Sequence, residues 1–264
     1  MPELPEVESY KKYFDSTSLH KTIKDVKVLD KGILSNISSR SFVSKIKGEK
    51  FKSTYRHGKY LFAKLSENKV IVLHFGMTGF LKYFLKKDEA TGHIRVLFSF
   101  SNGYKLAYDC QRKFGKVTLI KSIDEFLKKK KLGEDPISNN LSYNKFKEIL
   151  GKKTGNIKSA LLDQKTFAGI GNLYSDEILF QANIHPLSVI KHFKEKDFEA
   201  VYKSLKDILK KAVKLKADFD NYPESWLVLF REDDENCPKC NGIILHKTIG
   251  GRTSYFCTKH QKIK

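Results

Sequence analysis

The 264-residue sequence has no long hydrophobic run and only four cysteines. No apolar stretch approaches the roughly 20 residues that a membrane-spanning helix needs. The acidic N-terminus also lacks the apolar segment of a signal peptide. We therefore expect a cytoplasmic protein with no membrane partner. Cys110 stands alone, and the other three cysteines cluster near the C-terminus with His260, a pattern that in an intracellular chain is more typical of metal binding than of a disulfide framework.

Negative charge is scarce relative to positive charge. The chain carries 50 Lys and Arg against 30 Asp and Glu, a net charge of +20. A protein this basic is attracted to phosphate backbones, so the composition favours a polyanionic partner. The alternative is a Lys-rich proteome with no special partner. Hydrophobic residues make up 40% of the chain, enough for one large core or for two or three small ones.

The periodicity of the chain divides it into four parts. Residues 5–17 have the spacing of an amphipathic helix. Alternating strands follow at 23–28, 60–65, 69–73, 95–100 and 116–120, which is typical of a sandwich or barrel. Residues 121–140 are rich in Lys and then in turn formers, and 142–218 are helical. We predict a domain at 1–120, a linker at 121–140, a helical domain at 141–231 and a metal-binding unit with two hairpins at 232–264.

The C-terminal cysteines have the spacing of a metal site. Cys237, Cys240, Cys257 and His260 form the pattern C-x2-C-x16-C-x2-H, which suits a closed, tetrahedral, structural zinc site. A unit this small has almost no core, so metal binding is expected to supply its folding energy. Between the two pairs, Arg252 follows two glycines in a sequence typical of a hairpin tip that presents a cation to a phosphate. The alternative for Arg252 is a solvated turn residue.

The first residues combine a proline with carboxylates. If Met1 is removed, Pro2 becomes a terminal secondary amine, and an α-amino group has a pKa of about 7.7–8.0. A usable fraction is then nucleophilic near neutral pH. Glu3 lies beside it and Glu6 one turn further on, so amine and carboxylates could attack an electrophilic carbon and move its proton. The alternative interpretation is an ordinary helix start.

Four further segments combine turns with groups that could contact DNA. Asn172 follows a Gly-rich turn between helices and begins the next helix, which is typical of a phosphate site. An ordinary helical hairpin is the alternative. Lys59 lies on a hairpin, where a solvated Lys is the simpler interpretation. Met77, Arg112 and Phe114 lie at turns, where protruding side chains could wedge a base stack. Core packing is the alternative for Met77 and Phe114.

Six motifs, in order from residue 2 to about 261, resemble the formamidopyrimidine-DNA glycosylase/endonuclease VIII family. They are residues 2–8 (PELPEVE), 58–61 (GKYL), 74–79 (HFGMTG), 112–115 (RKFG), 163–177, and the C-terminal cluster with Gly251 and Arg252. Leu4 resembles the formamidopyrimidine branch. The resemblance implies an α+β multidomain protein: an N-terminal β-sandwich with a leading helix, a helix-two-turn-helix domain, and zinc-finger hairpins.

The resemblance also implies a role for each matching residue. Pro2 corresponds to the nucleophile, Glu3 to the catalytic acid/base, Glu6 to a supporting carboxylate and Lys59 to the essential hairpin lysine. His74, Asn172 and Arg252 correspond to further phosphate ligands. The residues that fill the space left by a flipped nucleotide are Met77, Arg112 and Phe114, and the zinc ligands are Cys237, Cys240, Cys257 and His260. The implied partners are damaged duplex DNA and one structural Zn2+, with no organic cofactor.

Three features depart from the family pattern. His260 replaces a fourth cysteine, and Cys110 stands where relatives often have Asp. The segment 217–235 is short where enzymes that remove 8-oxoguanine carry a loop that caps the flipped purine. The shortness of this segment favours formamidopyrimidines, oxidised pyrimidines or further-oxidised guanine as substrates.

We predict a bifunctional DNA glycosylase/AP lyase of base excision repair that acts through a Schiff base on Pro2 and β,δ-elimination. It would act as a monomer in the bacterial cytoplasm, at the nucleoid. One alternative is a damage-binding or lyase-only relative with little activity on 8-oxoguanine. Another is a zinc-finger DNA-binding regulator, which would prefer one duplex sequence and leaves the N-terminal motif unexplained.

Overall fold

The computed structural model describes residues 1–86 and 89–264. Two compact units make up the chain: Met1–Pro2 with Glu6–Lys131, and Glu3–Pro5 with Leu132–Lys264. The boundary after Lys131 falls inside the predicted linker 121–140, and that linker contains a helix, α3 (Ile123–Lys130). Within the described residues, no helix is both long and apolar enough to cross a membrane.

The first unit contains two antiparallel four-stranded sheets. One has the strand order β1-β6-β7-β5 and the other β2-β3-β4-β8. Helix α1 (Leu4–Ser18) leads into them, and α2 (Ser39–Ile46) lies between β1 and β2. The strands are β1 (Ile23–Val28), β2 (Phe51–His57), β3 (Tyr60–Leu65), β4 (Val70–His74), β5 (Gly79–Phe84), β6 (Ile94–Phe100), β7 (Lys105–Cys110) and β8 (Lys116–Ile120).

Part of the outer face of the β2-β3-β4-β8 sheet is buried as well as its inner face, which explains helix α3. On β3, Leu61 and Ala63 face the core that the two sheets share. Because successive strand residues point to opposite faces, Phe62 points the other way and packs against Phe126 of α3, with ring centroids 5.6 Å apart. The Lys-rich segment was predicted as a linker from its charge. It forms a helix because Phe126 and its neighbours cover this outer face.

The second unit is helical and ends in a hairpin. Its helices are α4 (Tyr143–Gly151), α5 (Ile157–Leu162), α6 (Asn172–Gln181) and α7 (Glu195–Lys214), and its hairpin strands are β9 (Ile244–Ile249) and β10 (Arg252–Cys257). Residues 174–180 of α6 are all buried, so α6 is the central helix. Amphipathic α7 packs one apolar stripe against the same core.

The fold confirms the predicted α+β architecture with a β-rich first part, a helical second part and a C-terminal hairpin that carries the Cys/His cluster. The predicted strands are present with ends that shift by at most one residue. The sequence analysis missed helix α2 and the strands β2, β5 and β7. In the described C-terminal part, one regular hairpin and an isolated bridge between Asn236 and Ile243 replace the two predicted hairpins.

Candidate functional site

The carboxylate of Glu3 binds the N-terminus of helix α6. It accepts hydrogen bonds from the backbone N–H groups of Gly171 at 2.6 Å, Leu173 at 2.9 Å and Tyr174 at 3.4 Å. These N–H groups have no partner within the helix, and they carry the positive end of its dipole. Glu3 is only 4% exposed. A carboxylate from the start of the chain therefore caps a helix that begins 169 residues later.

A glycine makes this close approach possible. A Cβ on Gly171 would lie 2.3 Å from Cδ of Glu3 and 2.4 Å from its Oε1. The preceding turn is held by Gln164, whose side chain donates to the carbonyls of Leu162 and Ile170 and accepts from Gly169 N–H. The predicted Gly-rich turn thus shapes a carboxylate-binding helix end.

Asn172 begins α6, as predicted from the sequence. Its Nδ2 donates to the Thr253 carbonyl at 2.7 Å, so its amide is bonded to the residue that follows Arg252. Arg252 is exposed at the first position of β10, and the turn before it contains two glycines with positive φ. The second unit therefore brings Glu3, Asn172 and the Arg252 hairpin to the N-terminal end of one helix.

A buried ion network lies beneath this helix end, and the sequence analysis missed it. Asp176 of α6 accepts hydrogen bonds from Lys158, Arg231 and Ser254, and from the Tyr255 N–H at 3.2 Å. Lys158 is fully buried and also donates to the Asn172 carbonyl at 3.0 Å. The network ties α5, α6 and β10 together. The sequence signal that could have revealed this network is the presence of Lys158 and Asp176, two charged residues, within the mostly apolar helices α5 and α6.

In the first unit, Lys59 lies at the tight turn between β2 and β3. Gly58 has a φ of 55° there, a left-handed conformation that favours glycine. Arg56 stabilises the turn, because its Nε donates to Glu8 of α1 at 2.6 Å and its Nη1 to the Gly58 carbonyl at 3.4 Å. Lys59 is 8% exposed. It is thus held in place beside the helix that follows Pro2.

Pro2 and Glu6 lie at the two ends of the first turn of the chain, and both are partly buried. Glu6 is close enough to Tyr10 that burial and the Glu6 charge together raise the pKa of Tyr10 to about 12. With Met1 attached, the Pro2 nitrogen is part of a peptide bond. Nucleophilic chemistry at that atom therefore requires prior removal of Met1.

Met77, Arg112 and Phe114 lie on two turns that pack backbone to backbone. Gly76, with a φ of 59°, approaches the other turn so closely that a Cβ would lie 2.4 Å from the Phe114 carbonyl carbon. The Arg112 N–H donates to Thr78 Oγ1 at 3.0 Å. Met77 is 40% and Phe114 57% exposed, so neither is a core residue. The Arg112 guanidinium lies 5.3 Å from the centroid of the Phe114 ring.

His74 ends β4 just before the Met77 turn. Its carbonyl accepts a hydrogen bond from the Tyr108 hydroxyl at 2.7 Å, and its Nδ1 accepts from Gly76 N–H at 3.3 Å. Burial lowers the pKa of His74 to about 4, with smaller effects from the charges of Lys59 and Lys130. His74 is therefore neutral at pH 7. With Nδ1 as an acceptor, the ring proton is assigned to Nε2, which can donate.

The four predicted metal ligands converge in the second unit. All their donor atoms lie within 4.8 Å of one another. Cys240 Sγ lies 3.6 Å from Cys257 Sγ and 3.4 Å from His260 Nδ1, and Cys237 Sγ lies 3.5 Å from that nitrogen. Zn–S bonds of about 2.3 Å in a tetrahedron give ligand separations near these values.

The backbone around the cluster also suits thiolate ligands. The N–H groups of Lys239 and Lys259 donate to the sulfurs of Cys237 and Cys257, each at 3.4 Å. A Cβ on Gly242 would lie 2.8 Å from Cys257 Sγ, so glycine is required there. This geometry fits a metal ion bound by three cysteines and His260.

The two other departures from the family pattern have clear structural settings. Cys110 is fully buried in the sandwich core, with its Sγ 4.0 Å from the Phe75 carbonyl oxygen. In the short segment 217–235, Tyr222 and Trp226 are buried, and the Tyr222 hydroxyl lies 2.5 Å from that of Tyr174. The Val228 N–H donates to Glu177 at 2.9 Å. The segment thus packs onto α6.

Family models match most of the chain. The model of the formamidopyrimidine-DNA glycosylase N-terminal domain matches residues 1–117, and that of the formamidopyrimidine-DNA glycosylase H2TH domain matches residues 132–221. A formamidopyrimidine-DNA glycosylase of Pelotomaculum thermopropionicum is 32% identical, with both chains fully covered. That of Bacillus subtilis is also 32% identical, again with full coverage of both.

Solved structures of the same family have the same fold. A complex of the LlFpg protein with a THF-DNA and an inhibitor aligns with a TM-score of 0.90 at 26% identity, covering 99% of this chain and 100% of the other. The Lactococcus lactis enzyme bound non-covalently to DNA containing an AP site aligns with a TM-score of 0.88 at 27% identity, covering 98% and 99%. This protein therefore belongs to the formamidopyrimidine-DNA glycosylase family.

Proposed function

We propose that this protein is a bifunctional DNA glycosylase/AP lyase that removes oxidised or ring-opened bases from duplex DNA in base excision repair. The observation that carries the proposal is the Glu3 carboxylate, which three backbone N–H groups fix at the end of α6 immediately after Pro2 in the chain. Capping of α6 does not require that the carboxylate come from the residue next to Pro2. An amine nucleophile at Pro2, in contrast, needs an adjacent group that can carry a proton.

The reaction begins once Met1 has been removed. The Pro2 amine attacks C1′ of the damaged nucleotide, the bond from C1′ to the base breaks, and the base leaves with a proton. The lone pair of the Pro2 nitrogen then breaks the C1′–O4′ bond, O4′ takes a proton, and an iminium ion (Schiff base) joins Pro2 to the opened sugar. Loss of a C2′ proton breaks the 3′ C–O bond, and a second elimination breaks the 5′ C–O bond. Hydrolysis of the iminium releases the sugar fragment and leaves a one-nucleotide gap.

We assign the proton transfers to Glu3, with Glu6 as a supporting carboxylate. Lys59, His74, Asn172 and Arg252 would hold phosphates on either side of the lesion. His74 suits this role as a neutral N–H donor, and Lys59 and Arg252 as cations. The exposed Met77, Arg112 and Phe114 would enter the base stack and occupy the space of the flipped nucleotide.

One Zn2+ ion is the proposed occupant of the Cys/His cluster. Its ligands would be Cys237, Cys240, Cys257 and His260, and it would stabilise the hairpin that carries Arg252. Four protein ligands leave no open position, so the ion has a structural role. We further propose that the protein works as a monomer on chromosomal DNA at the bacterial nucleoid.

The preferred lesion is proposed from the short segment 217–235. We propose that this segment is too short to form a loop that caps a flipped purine, so that formamidopyrimidines, oxidised pyrimidines or further-oxidised guanine are favoured over 8-oxoguanine. A structural relative, MutM, has been solved with DNA containing carbocyclic 8-oxo-G (TM-score 0.89, 26% identity).

Borohydride trapping tests the proposal, because it reduces a Schiff base to a stable covalent adduct. Duplexes with an abasic site, 8-oxoguanine, formamidopyrimidine and a saturated pyrimidine are compared. We expect an adduct that disappears with Pro2→Gly or with any residue retained before Pro2. Equal excision of 8-oxoguanine and formamidopyrimidine would contradict the lesion preference. If a protein with a confirmed Pro2 N-terminus gave no adduct on any duplex, the damage-binding alternative would replace the proposal.

A further inference from the structure

A basic groove with an aromatic floor lies on the outer face of the β2-β3-β4-β8 sheet. Helix α3, strands β4 and β8 and the segment around residues 35–36 enclose about 390 Å3. This lies within the range of small-molecule sites, which combine apolar walls with a few charged groups. None of the chemistry proposed above uses this groove, apart from His74 at its edge.

The floor of the groove consists of packed rings. The Phe126 ring meets that of Tyr60 edge to face, with centroids 5.3 Å apart, and Tyr60 lies 4.9 Å from the His74 ring. Phe126 also packs on Phe62, which holds it in place. Phe126 is only 9% exposed and the Lys130 ammonium lies 6.0 Å from its ring centroid, so the half-buried Tyr60 offers the main aromatic surface of the floor. An aromatic side chain of this kind stacks on nucleobases without regard to sequence.

The rim is cationic. Four lysines line the groove against one carboxylate, that of Glu125; they are Lys116, Lys121, Lys129 and Lys130. Lys121, Lys129 and Lys130 are exposed, and in residues 1–86 and 89–264 none of the three has an ion-pair partner. Unpaired lysines above an apolar floor attract a phosphate more strongly than lysines that are already neutralised.

The walls are held in place by hydrogen bonds, so the groove is preformed. Asn36 is bonded to the backbone of Leu119 in both directions, at 2.7 and 3.2 Å. Lys116 Nζ donates to the Gly32 carbonyl at 2.8 Å. Ser122 caps α3 by accepting from the Glu125 N–H at 3.3 Å. A rigid site loses less entropy when a ligand binds.

From these observations we infer a second ligand site, which binds a nucleoside phosphate through its base on the aromatic floor and its phosphate on the lysine rim. The ligand is either a free nucleotide or a nucleotide unit of single-stranded DNA. Binding at this site involves no covalent step and does not depend on the glycosylase reaction.

Calorimetric titration of the full, metal-loaded chain with a 2′-deoxynucleoside 5′-monophosphate tests the inference. The floor predicts that this ligand binds about tenfold more tightly than deoxyribose 5-phosphate, because only the nucleotide carries a ring that can stack. A double variant, Lys121→Ala with Lys129→Ala, should weaken nucleotide binding by about tenfold. The control, Lys24→Ala with Lys128→Ala, removes the same charge from exposed positions outside the groove and should bind as the parent does.

A second titration with short oligothymidine identifies the source. If the natural ligand is a strand, the oligomer binds more tightly than the monomer and is weakened by the same double variant. If it is a free nucleotide, only the monomer responds to that variant. Equal binding of nucleotide and deoxyribose 5-phosphate, or equal losses in the test and control variants, would overturn the inference. Circular dichroism of both variants checks that they fold.

Discussion

A glycine far along the chain sets the position of the Glu3 carboxylate. Gly171 leaves room for that carboxylate, and any side chain there would occupy the same space. From the sequence we predicted that this turn would bind an anion, and that the anion would be a DNA phosphate. In the structure the anion at the end of α6 is a carboxylate of the protein itself, which no local pattern could indicate because the two partners are 168 residues apart.

We expect Gly171→Ala to reduce DNA nicking by about 100-fold, since displacement of a catalytic group by about 1 Å has this effect. Steady-state nicking of a formamidopyrimidine duplex measures it. Gly151→Ala is the matched control, because a Cβ there meets nothing within 4 Å, and it should leave the rate unchanged. A Gly171→Ala enzyme with full activity would show that the Glu3 position does not matter to the reaction.

Glu177 gives the protein a predicted dependence of stability on pH. Burial raises the pKa of Glu177 from 4.5 to about 7, although Gln181 and the Val228 N–H donate hydrogen bonds to it. Between these values the folded state keeps a proton that the unfolded chain releases. The contribution of Glu177 to the free energy of unfolding therefore falls as pH rises from about 4.5 to 7, by roughly 3 kcal/mol, and is constant above that.

Urea unfolding of the parent and of Glu177→Gln at pH 5 and pH 8 measures this contribution. The variant cannot titrate, so its stability should fall less between the two pH values than that of the parent. Glu148→Gln serves as the control, because Glu148 is a solvent-exposed carboxylate paired with Lys152. If the parent and Glu177→Gln lost the same stability, the buried carboxyl group would not be the source.

At the scale of elements, periodicity located five of the eight strands of the first unit, and it missed β2, β5 and β7 together with helices α2 and α3. β1 alternates between buried and exposed residues, and β3 and β8 are short runs rich in apolar residues; all three were predicted with their observed ends. Helix α3 was missed because its lysines dominate its composition, and only Phe126 and its neighbours mark the buried side. The residues that this helix covers lie mainly on β3 and β4, far earlier in the chain, so the local sequence does not show what Phe126 packs against.

The metal cluster is the element whose geometry the sequence predicted most completely. Four donor atoms at fixed spacing converge as expected, and the hairpin β9-β10 has a core of a few residues only. We expect one metal ion per chain, and we expect chelation to unfold this hairpin, since structural zinc contributes about 10–16 kcal/mol in small metal-binding domains.

His260→Cys should retain the metal, because a thiolate can occupy the same tetrahedral position. His260→Ala should lose it and should also lose DNA nicking. Metal content by atomic emission, with thermal unfolding in parallel, distinguishes the two variants. His246→Ala is the control, since it removes a histidine from β9 that is paired with Asp233 and lies outside the cluster. Full metal content in His260→Ala would exclude His260 as a ligand.

At the scale of the whole molecule, the sequence was enough to predict the family and the types of residue in its motifs. It did not show which charged residues pair with one another inside the protein. The motifs are local, so each could be recognised without a fold. The network of Lys158, Asp176 and Arg231 could not be recognised in this way, because α5, α6 and the segment before the hairpin meet only after folding. The excess of positive charge was visible from the start, and it leads to a prediction about individual phosphate contacts.

The salt dependence of DNA binding should separate cationic phosphate ligands from neutral ones. For B-DNA, the slope of log K against log salt is about −0.9 for each phosphate that a cation neutralises. Arg252→Ala should therefore reduce the slope by about one. His74→Gln should weaken binding and leave the slope unchanged, because burial and the charges of Lys59 and Lys130 keep His74 neutral at pH 7. Fluorescence anisotropy on an abasic-site duplex, from about 50 to about 200 mM salt, measures both slopes, with Lys24→Ala as a remote control. A reduced slope for His74→Gln would mean that the bound phosphate protonates His74, and an unchanged slope for Arg252→Ala would remove Arg252 from the proposed phosphate ligands.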